Sequence, residues 1–114
     1  MVGLVGHLSS ALTAGFPLGL NHIYVAIQMF AWCYAFGAIA RSIGGGKGLI
    51  AASVIATILN GVASPLLLTV SPFQSLPLSV ATALILILVI ASAANIVLAA
   101  IAFKAISRLK IPGL

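Results

Sequence analysis

Residues 78–103 read LSVATALILILVIASAANIVLAAIAF, and no Asp, Glu, Lys or Arg interrupts them. A helix needs about 20 consecutive apolar residues to cross the hydrocarbon core of a bilayer, which is about 30 Å thick. The stretch lacks the alternation of polar and apolar residues that is typical of a membrane β-strand. Because only helices and closed barrels satisfy their backbone hydrogen bonds in lipid, it predicts a membrane-spanning helix.

Two further uncharged stretches precede it, at residues 18–40 and 49–70. Pro65 lacks a backbone donor, so it should kink or end the second helix near Ser64. Residues 71–75 (SPFQS) lie between prolines and predict a turn. Residues 1–15 carry a weak helical pattern that allows a short N-terminal helix along the membrane interface. We therefore expect one all-α domain over residues 1–114, a membrane-type apolar helical hairpin extended to about three long helices.

The composition excludes several classes of function. The chain is 63% hydrophobic and 4% charged, with five Lys or Arg residues and no Asp or Glu. Soluble domains carry about 25% charged residues, so lipid or neighbouring subunits must cover most of this surface. Carboxylates carry most proton relays and acid–base chemistry inside membranes, and they are the main ligands of Mg²⁺ and Ca²⁺. We expect a protein that is not an enzyme, with no catalytic residue.

The five positive charges form two groups. Arg41 and Lys47 lie in a basic loop at 41–48, and a basic tail at 104–110 carries Lys104, Arg108 and Lys110. Three membrane crossings place the loop and the tail on the same side. By the positive-inside rule this side is cytoplasmic, which predicts an outer N-terminus and an inner C-terminus.

The basic loop, RSIGGGKG, also has the glycines and lysine of a phosphate-binding loop. A nucleotide-hydrolysing loop needs a Ser or Thr after the lysine, between a strand and a helix, and Gly48 stands there instead. Nucleotide hydrolysis is therefore excluded. Arg, Lys and free N–H groups at a helix start are suited to the phosphates of lipid headgroups or of a nucleic-acid backbone.

Small and polar residues recur at helical spacing in the second and third stretches. Such residues let helices approach closely in lipid and bond across the interface, either within one chain or between subunits. The predicted packing residues are Ser53, Thr57, Gly61 and Asn60 on the second stretch, and Ala91, Asn95 and Ala99 on the third.

His7, His22 and Cys33 are the remaining candidates for chemistry. Haem in membrane helices is held by histidines that face each other across a bundle, whereas these two lie near one end of the chain. His22 beside Tyr24 is more typical of an interfacial anchor. A lone cysteine cannot form an internal disulfide, so Cys33 is interpreted as a small buried apolar residue. We expect no metal and no cofactor other than bound lipid.

Residues 34–61, YAFGAIARSIGGGKGLIAASVIATILNG, resemble the conjugative pilins of type IV secretion systems and the related archaeal DNA-import pilins. Those pilins are small apolar helical hairpins with a short basic, glycine-containing loop. The third apolar stretch and the lack of a visible cleavable leader depart from the bacterial pattern.

The resemblance implies that many copies of the chain leave the membrane with bound phospholipid or archaeal tetraether lipid and stack into a hollow extracellular filament. It also implies secretion-type assembly machinery and DNA in transit. Carried over by position, Arg41 and Lys47 would face the lumen. The basic tail (Lys104, Arg108 and Lys110) lies on the same side and would join them.

Three functions remain open on the sequence. The first is a structural subunit of a lipid-containing filament of the conjugation or DNA-import type. The second is an accessory transmembrane subunit of a large membrane enzyme complex, which would also be small, apolar and free of catalytic residues. The third is a capsid or envelope protein of an archaeal virus.

Overall fold

The structure is a computed structural model that describes residues 1–108, with side chains described as far as residue 102. The described residues form helices and no strand, which confirms the predicted all-α fold. In chain order, the elements are α1 (Val2–Thr13), α2 (Asn21–Ile43), α3 (Gly45–Ile58), a π-helical turn (Leu59–Ala63), α4 (Ser64–Leu67), a 3₁₀ turn (Leu68–Val70) and α5 (Leu78–Arg108).

Three helical segments are long and apolar enough to cross a membrane, namely Asn21–Ile43, Gly45–Val70 and Leu78–Ala102. They correspond to the three predicted stretches. Few apolar side chains are buried within the described chain, and those that are buried are Ala11, Val25, Ala26, Ala52, Leu68 and Ala81. The helices therefore turn most of their apolar surface outwards, as expected of a chain whose surroundings are lipid or other subunits.

The reversal between α2 and α3 is much tighter than the predicted loop at 41–48. Only Gly44 lies between the two helices, with φ 72° and ψ 165°. This backbone region is almost confined to glycine, because a Cβ would crowd the residue's own adjacent peptide groups. Gly45 follows with φ 57°, so two glycines complete the reversal and leave Arg41 and Lys47 inside helices.

The second span continues through Pro65, where a kink or an end was predicted. The π-helical turn at Leu59–Ala63 precedes the proline directly. A proline ring clashes with the carbonyl group four residues earlier, here that of Gly61, and the wider π turn relieves this crowding. The span then ends in the 3₁₀ turn at Leu68–Val70.

Helix α5 runs antiparallel to the second span and packs against the π turn, α4 and α3. At Gly61, an added Cβ would lie 2.5 Å from Val89 Cγ2 and 2.9 Å from Val89 Cα, so glycine alone allows this approach. One turn along, Asn60 Nδ2 donates to Ser92 Oγ. If the pairing of Gly61 with Val89 is continued along both helices, residue 104 of α5 comes level with residue 47 of α3 along the bundle axis.

Helix α1 packs against α2. Its start lies beside the middle of α2, since a Cβ at Gly3 would lie 2.5 Å from the carbonyl oxygen of Met29 and 2.6 Å from Cys33 Sγ. Its later residue His7 contacts His22, near the start of α2. The two helices are therefore antiparallel, and the missing side chain of Gly3 permits their close approach.

Candidate functional site

The end of the bundle formed by the α2–α3 turn carries exposed positive charge and is called here the cationic end. Arg41 lies in the last turn of α2 and Lys47 in the first turn of α3, and both are exposed. Arg41 Nη1 lies over the helix, 3.1 Å from the position that a Cβ of Gly37 would take. With no Asp or Glu in the sequence, neither cation has a carboxylate side chain as a partner.

The start of α3 adds to the positive potential at this end. No side chain caps it, because the N-cap residue is Gly44. The first N–H groups of a helix carry a partial positive charge, and the ammonium group of Lys47 increases it. The combination favours an anion with several oxygen acceptors, of which phosphate is the usual example.

The C-terminal part of α5 belongs to the same end. The backbone of α5 extends to Arg108, and its register with the second span brings Lys104 to the height of Lys47. Lys110 lies outside the described residues. The chain order of the helices directs the C-terminal turns of α5 towards the end that carries Arg41 and Lys47.

The opposite end is held together by buried polar groups and is called here the hydrogen-bonded end. Asn21 is 1% exposed and starts α2. Its Nδ2 donates to the carbonyl oxygen of Gln74 at 2.8 Å, and its Oδ1 accepts from Ser71 Oγ at 2.6 Å. A single side chain therefore ties the connection before α5 to the first turn of α2.

His7 and His22 form a second contact at this end. Leu18 N–H donates to His22 Nε2 at 3.2 Å, so neutral His22 carries its proton on Nδ1. That nitrogen lies 3.1 Å from His7 Nε2, which accepts its hydrogen bond. Phe16 packs edge-on against the His22 ring, with 5.4 Å between the ring centroids. Burial, and secondly the neighbouring His22, lower the pKa of His7 from its ordinary value of 6.5. The pair is thus a neutral tie between α1 and α2.

The predicted packing residues are placed differently on the two helices. Thr57 Oγ1 bonds within its own helix, to the carbonyl oxygen of Ser53 at 2.9 Å, while Asn60 and Gly61 contact α5. On α5, the contact face is formed by other residues, including Ala81, Val89 and Ser92. Ala91, Asn95 and Ala99 are exposed.

An open cavity of about 250 Å³ separates α2 from α5. Sequence reasoning did not identify it, because it depends on how the second span holds these two helices apart. Trp32 Nε1 donates to Ser64 Oγ at 2.8 Å, which fixes the indole ring at its wall. The lining residues are Met29, Trp32, Cys33, Phe36, Ala56, Asn60, Ser92, Asn95 and Ile96.

Asn21, Ser71 and Gln28 carry buried polar side chains that the sequence did not indicate. Cys33, expected to be buried, is exposed. A polar residue that starts an apolar stretch, as Asn21 does, is the one signal that could have indicated a buried bond at a helix end. Both side-chain amide atoms of Gln28 are buried without a hydrogen-bond partner in the described chain. Within residues 1–102, no three His, Cys, Asp or Glu side chains lie close enough to hold a metal ion.

Comparison of the chain with protein-family models, with curated proteins and with solved structures gives no significant match.

Proposed function

We propose that the chain is a structural, non-catalytic subunit that assembles with lipid into a helical filament of the conjugation or DNA-import type. Its cationic end contacts phosphate groups that line a lumen. The observation that carries the proposal is the cationic end itself. Arg41 and Lys47 are exposed there beside an uncapped helix start, and α5 brings Lys104 to the same height.

Charge balance supports an external anion at this end. The side chains carry a net charge of +5 with no acidic residue to offset it. Subunits stacked in a filament would repel one another through these charges unless anions lay between them. The phosphates of phospholipid or tetraether lipid would supply these anions, and so would DNA in transit.

The distribution of apolar surface supports assembly with partners. Of the window of α5 that could span a membrane, only 6% is buried within the described chain. Exposed large apolar side chains also occur on α1, α2 and α3, for example Val5, Ile27 and Val54. A subunit of this kind is covered by lipid in the membrane and by further copies of itself in a filament, after delivery by secretion-type machinery.

The orientation in the membrane is part of the same proposal. The cationic end faces the cytoplasm before assembly, in keeping with the positive-inside rule. The hydrogen-bonded end, with neutral histidines and amides, then faces outwards.

The test is electron microscopy of material sheared from the surface of cells that express the full chain, with mass spectrometry of its protein and lipid. The expected result is thin filaments in which this chain is the main protein and lipid is bound. The double variant Arg41→Gln, Lys47→Gln should assemble poorly or lose its lipid. The matched control Arg41→Lys, Lys47→Arg keeps the charge and should assemble normally.

Other outcomes would replace the proposal. Recovery of the chain only from membranes, within a complex of other proteins, would support the accessory-subunit function. Recovery within enveloped particles would support the viral function. Filaments unaffected by the double glutamine variant would overturn the role of the cationic end.

A further inference from the structure

Helix α1 is held on the rest of the described chain by few contacts. It packs against α2, and within the described chain Ala11 is its only buried residue. Near the start of α1, Gly3 lies beside Met29 of α2. Near its middle, His7 Nε2 lies 3.1 Å from Nδ1 of the buried His22. Elements attached through so little buried surface belong to the least stable parts of a fold, so the position of α1 depends strongly on the histidine contact.

The hydrogen bonds of this contact run in one direction. The backbone N–H of Leu18 is a fixed donor, so His22 accepts at Nε2 and carries its proton on Nδ1. That Nδ1–H group requires an acceptor, which is the unprotonated Nε2 of His7. A proton added to His7 Nε2 would place two N–H groups against each other. A proton added to His22 Nε2 would oppose the N–H of Leu18, so the arrangement is complete only while both rings are neutral.

Within the described chain, no neighbouring group compensates a charged imidazole at this position. The titratable group of α2 that faces His7 is His22 itself. Residues 14–20, which join the two helices, and residues 71–77, which are tied to the start of α2, contain no titratable side chain. Tyr24 of α2 forms no hydrogen bond with either ring in the described chain, and the sequence contains no Asp or Glu. Burial, and secondly the neighbouring His22, accordingly lower the pKa of His7 from 6.5.

The connection between α1 and α2 has the backbone of a hinge. Gly15 and Gly19 have φ angles of 78° and 53°, and Phe16 between them has φ 52°. The left-handed region is uncommon for a bulky residue and costs free energy. The ring of Phe16 packs edge-on against His22, so one contact region holds both α1 and the strained residue. Movement of α1 away from α2 would relieve this strain.

We propose that the His7–His22 contact is a pH-dependent switch, which holds α1 on α2 while both rings are neutral and releases it when His7 takes up a proton. Residues 14–20 act as the hinge. Once α1 is released, His7 meets solvent and titrates near its ordinary pKa of 6.5. The docked state therefore binds fewer protons than the released state, so release increases as the pH falls below 6.5. Release uncovers the surface of α2 beside Met29, where Gly3 lies in the docked state.

Distances between spin labels measure this movement directly. The full chain in phosphatidylcholine nanodiscs, with Cys33→Ala to remove the only cysteine, would carry labels at Val2→Cys and Ile50→Cys. Both positions are exposed, and Val2 lies at the end of α1 that is far from the hinge. Double electron–electron resonance should give one narrow distance distribution at about pH 7.5. At about pH 4.5 a longer and broader distribution should appear, with the released fraction about tenfold higher.

His7→Gln is the matched variant, because its amide oxygen can accept the bond from His22 Nδ1 but does not titrate. Its released fraction should change by less than about twofold over the same pH range. A control label pair at Ile50→Cys and Leu86→Cys reports on α3 and α5 and should give the same distance at both pH values.

Three results would overturn the proposal. The first is a parent chain that keeps α1 docked at about pH 4.5, and the second is release of α1 in His7→Gln to the same extent as in the parent chain. The third is separation of the control pair together with α1, which would show general unfolding. None of these readings depends on filament formation, so they stand apart from the test of the proposed function.

Discussion

At the cationic end the chain reverses through Gly44 and Gly45, whereas at the opposite end two longer connections are tied together by buried side chains. The tight turn uses backbone freedom and buries no polar side chain. The hydrogen-bonded end uses Asn21, Ser71 and the histidine pair. The charges of the cationic end are therefore not needed to hold the fold, so they are free to bind an external anion.

Among the variants that test the contrast between the two ends, Asn21→Leu is expected to cause the largest loss of stability. The substitution leaves the Gln74 carbonyl without its donor and the buried Ser71 O–H without its acceptor, although Ser71 Oγ still accepts from Phe73 N–H at 3.3 Å. We expect a loss of about 2–4 kcal/mol in the free energy of unfolding, since each unpaired buried group costs about 1–3 kcal/mol. Unfolding in mixed micelles of rising SDS content, followed by circular dichroism, measures it.

Gln74→Ala is the control for this substitution, because only the backbone carbonyl of Gln74 accepts the bond. It should unfold like the parent chain. Equal losses in both variants would show that the connection, and not the buried hydrogen bond, determines the stability of this end.

The next largest effect is expected at the other end, from Gly44→Ala. Nothing lies within 4 Å of an added Cβ there, so the cost is purely conformational. Holding alanine in this backbone region should destabilise the chain by about 1–3 kcal/mol. Gly46→Ala, which also meets nothing within 4 Å, adds a better helix former and should be neutral or slightly stabilising. The same micelle titration compares the two variants, and equal behaviour would contradict the role given to Gly44.

A smaller effect is expected from pH at the hydrogen-bonded end. The lowered pKa of His7 means that the folded chain resists its protonation, whereas the unfolded chain takes up a proton near pH 6.5. The contribution of His7 to the free energy of unfolding is therefore complete above pH 6.5. It declines as the pH falls towards the lowered pKa of the folded state. SDS unfolding midpoints at a series of pH values should show the decline.

His7→Leu serves as the matched variant for the pH series. It removes one titrating group and should make the decline below pH 6.5 shallower. An unchanged pH profile in this variant would exclude His7 as its cause.

The smallest effect on stability is expected from removing the charges of the cationic end. Arg41 and Lys47 are exposed, and within residues 1–102 neither side chain donates a hydrogen bond. The double variant Arg41→Gln, Lys47→Gln should unfold within about 0.5 kcal/mol of the parent chain. Its affinity for phosphatidylglycerol should nevertheless fall about fivefold per charge removed, as each basic residue near lipid contributes about 1 kcal/mol.

Native mass spectrometry of the detergent-solubilised chain, titrated with phosphatidylglycerol, measures the affinity for this lipid. The Arg41→Lys, Lys47→Arg variant should keep the parent affinity. A marked loss of stability in the glutamine variant would remove the contrast between the two ends.

Much of the fold could be predicted because its main signal is local. The absence of charge over residues 49–70 and 78–103 is sufficient to indicate membrane-type helices, and the structure places long helices there. The short α1 was also allowed by its pattern. Its position was not, because contact with α2 depends on Gly3 meeting Met29 and Cys33, far away in the sequence.

The site residues show the same division. The grouping of Arg41 and Lys47 follows from their place between two apolar stretches, so it could be derived without coordinates. The partner of Asn60 could not, because Ser92 and Asn95 lie one turn or less apart on α5 and only the helix register selects between them. The bond between His7 and His22 was missed for a similar reason, since it requires α1 to fold back along α2.

By itself, the sequence determined that the chain is helical, apolar and cationic without any acidic side chain. These properties depend on composition and on local spacing, which no packing can alter. Only the three-dimensional arrangement shows the reversal at Gly44 and Gly45, the π turn before Pro65, the buried bonds of Asn21 and the cavity beside Trp32. Each of these depends on distances between residues that are remote in the chain or on the exact path of the backbone. Hydrophobic patterning, which acts through the average polarity of a stretch, does not specify such distances.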